Sequence, residues 1–220
     1  MTRATLDSRV TPLARWEACW RALGAVPPRA LLEELLARYR EPHRAYHTLQ
    51  HLEECFAALD LLGNTCERPA EVALGLWFHD AIYDTKRSDN EALSADWAER
   101  SAREAGLAHD LAARVRELVL VTKHDGVPSG ADASLLVDID LGILGAAPAR
   151  FAEYETQVRF EYSWVPDDGF RSGRIRVLRS FLERPNIYAT PRVRAEREAR
   201  ARENLTRSIA LLGDRPRLGG

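Results

Sequence analysis

The sequence predicts an all-α bundle, and three observations carry that reading. Apolar residues recur at three- and four-residue spacing along most of the chain. Prolines and glycines fall between those stretches, where helices start and stop. No internal repeat, low-complexity stretch or long linker interrupts them, so residues 1–220 read as one domain. Hydrophobic residues make up 45%, enough for a buried core and too many for a disordered chain.

The elements follow in order. Leu13 to Leu23 and Arg29 to Arg40 form two helices parted by Pro27-Pro28, and Glu41-Pro42 stops the second. Thr48 to Leu62 places Leu49, Leu52, Phe56 and Leu59 on one side and ends at Gly63-Asn64. Pro69 opens a helix expected to reach about Tyr83. Ser88-Asp89-Asn90-Glu91 reads as a capping box, with the Ser88 oxygen serving the Glu91 amide, for a helix to about Ala105 closed by Gly106. Leu111 to Lys123 comes next, then a polar turn over 125–130. Ser134 to Gly145 is apolar enough for a strand, but its length and helical neighbours favour a buried helix. Ala149 to Trp164, Gly169 to Leu182 and an Arg/Glu-rich helix from Thr190-Pro191 to near Gly213 complete the bundle.

Thirty-one basic and 33 acidic residues give a net charge of -2, which points away from nucleic acid and from anionic membrane surfaces. The Arg/Glu face over 192–207 reads as a solvated helix face. No apolar run has spanning length, and the first ten residues lack the apolar stretch of a signal peptide. Cys19, Cys55 and Cys66 are odd in number and form no CxxC pair, which argues against a disulfide framework. The expectation is a cytoplasmic protein with reduced thiols. Cys55 shares a helix face with His51 but reads first as a small buried core residue.

Chemistry concentrates in a few places. His47 and His51 are four apart and stack on one helix face. His79-Asp80 ends the apolar run ALGLWF, where a buried helix meets something else. His124 and the pair Asp138/Asp140 follow. Brought together out of water, these carboxylates need a positive partner. A mixed imidazole–carboxylate set suits Mn, Fe, Co, Ni or Zn and not Ca. His43 and His109 lie in polar, terminal contexts and read as surface groups. Asp84 stands near the dyad. Tyr162, Trp164 and Tyr188 read as packing residues, and aromatics at the surface leave a homodimer open.

A histidine, then an HD pair, then a distant aspartate resembles the HD superfamily of metal-dependent phosphohydrolases. Tyr46-His47…His51 resembles the YHxxxH segment of cyclic-nucleotide phosphodiesterases within it. The ordered set YHTLQH, WFHDAIYD, DNEALSA, TKHD, DIDLGILG, EYSWVP, GFRSGRIRVL, FLERPNIYAT and AREN is similar to one bacterial family of predicted HD phosphohydrolases, from about His43 to Leu205. The resemblance implies an HD-type helical bundle with a metal-site core over about 43–145 and carboxy-terminal helices over about 149–213 packed on it. It implies His51, His79, Asp80 and Asp140 as ligands of a divalent transition ion, and it favours Asp140 over Asp138. It implies His47 as proton donor to the leaving oxygen, with His124 as the alternative donor or a phosphate contact. Asp80 then also bridges toward a second, weaker site, where magnesium is an option. Many two-metal HD proteins carry a histidine where this chain has Asn90. Lys123, Arg159 and Arg174 are the candidate phosphoryl contacts. The expected function is hydrolysis of a nucleotide or another small phosphate ester by a metal-activated water. Two alternatives stand beside it: a non-catalytic nucleotide-sensing module, and a di-iron oxygenase, for which the chain offers few extra histidines.

Overall fold

The computed structural model describes residues 10–213 and is all-helical, with ten α-helices and no strand among those residues. They are α1 (Pro12–Ala22), α2 (Arg29–Arg38), α3 (Leu49–Leu62), α4 (Pro69–Phe78), α5 (Asn90–Glu104), α6 (His109–Leu120), α7 (Ala131–Asp140), α8 (Pro148–Glu161), α9 (Asp167–Leu182) and α10 (Pro191–Gly213). The first residues of the chain, read above for a signal peptide, lie largely outside the described residues. No described helix is long and apolar enough to cross a membrane.

Helix α4 is the axis of the fold. Val72, Leu74, Leu76, Trp77 and Phe78 are all buried, so the helix is apolar around its circumference and must be wrapped. Helices α1, α3, α5, α6 and α7 supply the wrapping. Gly75 allows the closest approach: a Cβ there would stand 2.8 Å from Leu136 Cδ1 and 3.3 Å from Leu118 Cβ. Trp77 meets Trp16 edge-on at 5.3 Å, and Trp16 meets Trp20 at 5.2 Å. One hydrophobic cluster runs from Trp16 to Leu205.

Helix α4 ends at Phe78, not near Tyr83. The Ala81 amide turns back to the Phe78 carbonyl at 2.9 Å, and buried Arg44 donates to the Asp80 and Ala81 carbonyls at 2.6 and 3.1 Å. Ser94 then holds the Ile82 amide at 3.0 Å. The helix is thereby stopped at the dyad. The capping box is also absent. Asp89 takes the cap position without bonding the helix amides, its carboxylate held by Arg87 instead. Asn90 instead spans the loop, donating to the Asp84 carbonyl and accepting from the Asp84 amide. Helix α6 ends at Leu120. A 3-10 turn (Val121–Lys123) follows, and His124 sits in left-handed backbone at φ 57°.

The helix expected over Ser134 to Gly145 is present, starting earlier at Ala131, with α7 passing into a 3-10 turn over Leu141–Gly145. Helix α10 serves that turn's free carbonyls. Arg197 donates to Gly142, Arg200 to Gly145, and Asn204 to Leu144 and Ala146. Asp138 accepts from the Ala189 and Thr190 amides and the Thr190 hydroxyl, at 2.7, 2.7 and 2.6 Å, just before α10 begins.

Candidate metal centre

Thr48 starts α3 by accepting from the Gln50 amide, which puts His51 in the first turn on the core side. His79 arrives at the end of α4 and Asp140 at the end of α7. Three helix termini therefore converge. His51 Nε2 lies 3.0 Å from His79 Nε2 and 3.2 Å from Asp140 Oδ1. His79 Nε2 lies 2.9 Å from Asp80 Oδ2 and 3.6 Å from Asp140 Oδ1, while His51 Nε2 is 3.5 Å from Asp80 Oδ2. The imidazoles form a buried floor at 2% and 1% exposure, and the carboxylates reach the rim at 19% and 14%.

The other oxygen of Asp140, Oδ2, contacts His124 Nε2 at 2.9 Å. The His124 backbone is fixed in turn by Arg184, which donates to its carbonyl at 2.7 Å. Asp138 is bonded to Ala189 and Thr190 in the loop before α10, whereas Asp140 lies in the cluster.

His47 is held by a residue that the sequence reading did not single out. Glu161, at the end of α8, accepts from the amides of Ala45, Tyr46 and His47 through Oε1, at 2.8, 2.8 and 3.0 Å. Its Oε2 contacts His47 Nδ1 and the Tyr83 hydroxyl, both at 2.8 Å. The Tyr83 ring stacks on the His47 ring at 4.1 Å. Burial works against the Glu161 carboxylate, but the neighbouring His47 and these hydrogen bonds hold its pKa down to about 2. Burial also disfavours charge on His47, yet the carboxylates of Asp80 and Glu161 outweigh it and raise its pKa. One signal could have found Glu161. Phe151, Tyr154 and Val158 define the buried face of α8, and position 161 continues it.

The basic candidates have partners of their own. Lys123 is exposed and pairs with Asp125 at 2.8 Å. Arg159 donates to the carbonyls of Tyr162 and Val165 and to Asp167. Arg174 is buried against Glu155, over the Tyr154 ring at 4.9 Å. The hydrogen bonds of both arginines thus fasten α8, α9 and the bend between them. Tyr188 is fully buried, as expected for packing, whereas Trp164 is 51% exposed. Its indole donates to Thr85 at 2.7 Å and lines, with Tyr83 and Glu161, a cavity of about 510 Å³. His43 and His109 are at the surface, His43 against the Tyr83 carbonyl.

No family model, curated protein or solved structure matches the chain.

The donor set fits a divalent cation on geometry alone. Ligands about 2.0–2.2 Å from an ion, at tetrahedral or octahedral angles, lie roughly 2.8–3.6 Å from one another. The five separations among the His51, His79, Asp80 and Asp140 atoms span 2.9–3.6 Å. Asp80 Oδ2 is buried yet makes no hydrogen bond, although His79 Nε2 is 2.9 Å away. A proton on His79 Nε2 or a cation between the two atoms is what satisfies that oxygen. His79 Nδ1 contacts the Leu76 carbonyl at 2.8 Å, which makes that nitrogen the donor and leaves Nε2 facing the carboxylates. Burial pushes the His79 pKa down, but Asp80 and Asp140 carry it up to about 9, a sign of a strongly negative pocket. Cys55 adjoins the cluster as well. Together with His51 and His79 it forms a buried group whose donor atoms lie within 4.8 Å of one another and can hold a metal ion.

Proposed function

We propose that the chain is a metal-dependent phosphohydrolase acting on small phosphate esters, nucleotides among them. One observation carries the reading: four donor atoms spaced for a single cation lie beside a histidine whose Nδ1 is tied to a buried glutamate. The ordered motifs that resemble the HD phosphohydrolases support the same chemistry. When bound, a divalent transition ion (Mn, Fe, Co, Ni or Zn) lowers the pKa of a coordinated water toward about 7 and offsets phosphoryl charge.

The protein's own groups do the rest. His51, His79, Asp80 and Asp140 hold the ion. His124 steadies the free oxygen of Asp140 and faces the phosphoryl group. His47 donates a proton from Nε2 to the leaving oxygen, because Glu161 occupies Nδ1 and orients the ring, and the carboxylates of Asp80 and Glu161 favour its charged form. Lys123 exchanges an exposed carboxylate for a phosphoryl oxygen. Arg159 and Arg174 act as scaffold, since binding phosphate would break their present bonds.

The test is a phosphoester screen of protein loaded in turn with Mn, Co, Ni and Mg, with Asp80→Ala alongside. Hydrolysis that falls to background in the variant is the expected result. Stoichiometric metal with no hydrolysis of any ester would replace this reading with a nucleotide sensor.

A further inference from the structure

We propose that Cys55 is a soft third donor at this centre, forming with the imidazoles of His51 and His79 a two-nitrogen, one-sulfur set for thiophilic ions such as zinc, cadmium and cobalt. It uses the same two imidazoles as the proposed catalytic centre and does not require hydrolysis. Cys55 lies one turn after His51 on α3, and its Sγ stands 3.7 Å from His51 Nε2. A tetrahedral zinc centre, with Zn–S about 2.3 Å and Zn–N about 2.0–2.1 Å, holds sulfur and nitrogen roughly 3.6 Å apart. His51 Nε2 lies 3.0 Å from His79 Nε2, while Cys55 Sγ stands beside the His51 ring, 3.7 Å from Nε2 and 3.8 Å from Nδ1, so the thiol turns toward the Nε2 side when the ion is shared.

A second observation sets the thiol side apart from the rim. Cys55, His51 and Asp140 line a cavity of about 260 Å³ whose other walls include Ala58, Leu61 and Ile139. The centre therefore offers two faces that meet at His51 and Asp140. One is an oxygen-rich rim with Asp80 and Asp140, and the other is a sulfur-bearing face over an apolar cavity. Carboxylates suit manganese and magnesium, whereas thiolate draws zinc, cadmium and cobalt. Binding on the sulfur face forms one metal–sulfur bond and releases the Sγ proton to solvent.

Cobalt(II) loading of the full chain tests this, because cobalt bound to thiolate gives a sulfur-to-metal charge-transfer band in the near ultraviolet. The band is expected in wild type and in a Cys19→Ala/Cys66→Ala variant, and is lost in Cys55→Ser and Cys55→Ala. Cadmium affinity in the Cys55 variants is expected to fall by more than the roughly 10–100-fold that losing an outer partner of a ligand costs. Cadmium-113 NMR of wild type reads the donor atoms without any substitution, so unfolded variants do not blunt the test. Stoichiometric cobalt without the band, a band that survives in both Cys55 variants, or a cadmium shift of purely nitrogen and oxygen character overturns the proposal. Failure to retain any cobalt overturns the donor and the cation centre together. A cobalt–thiolate band in a protein that hydrolyses nothing supports Cys55 and sinks only the functional reading.

Discussion

His47 and Glu161 form a unit whose worth depends on the leaving group. A proton donor matters most when the departing oxygen is a poor leaving group. His47→Gln should therefore lower kcat about 10²–10⁴-fold on alkyl phosphates and far less on nitrophenyl esters. A leaving-group series measures this, and equal losses across it would remove His47 as the acid. Glu161 also links to acid stability. Its pKa falls from 4.5 to about 2 on folding, so its contribution is complete above pH 4.5 and lost as pH drops through about 2. That contribution is on the order of 3 kcal/mol at neutral pH. Acid-unfolding curves should show this decline in wild type and a shallower one in Glu161→Gln, where the lowered carboxyls of Asp80 and Asp140 still titrate. His47 was legible from the sequence by its spacing to His51. Glu161 was not, because one glutamate at the end of an Arg/Glu-bearing helix looks solvated until its face is known.

At the scale of elements, the turn over Leu141–Gly145 decides where Asp140 points. A Cβ at Gly145 would lie 2.7 Å from Arg197 Cβ, 2.8 Å from the Tyr188 hydroxyl and 3.0 Å from the Arg197 carbonyl. Gly145→Ala should cost about 1–3 kcal/mol through overpacking and also weaken metal binding. A denaturant midpoint and a metal titration read the two effects, and an unchanged metal affinity would sever the turn from the centre. Helix existence was legible throughout, including the apolar stretch over 134–145, because length and neighbours outweighed its strand-like composition. Boundaries near the dyad were not. The end of α4 is imposed by Arg44 and Ser94 from other parts of the chain, and the expected cap at Ser88 yields to Asn90 bonding across its own loop. Long-range polar contacts of this kind leave no local periodicity to read.

For the whole molecule, the centre couples stability to metal. A cation at 100 times its dissociation constant stabilises by about 2.7 kcal/mol, which raises Tm by roughly 5–11 °C in a chain of this size. Manganese, cobalt or nickel should produce that rise in wild type and little in Asp80→Ala. Affinity should strengthen with pH up to about 9, where His79 gives up its proton, by roughly tenfold per unit. Isothermal titration across pH checks it, and a flat profile would show that no proton is displaced. The contacts from α10 to the turn over 141–145 also bear on synthesis. A ribosome-bound chain halted before Pro191 would already carry His51, His79, Asp80 and Asp140, yet would lack the guanidinium and amide donors that brace the last of them. Metal capture should accordingly follow the emergence of α10 from the exit tunnel.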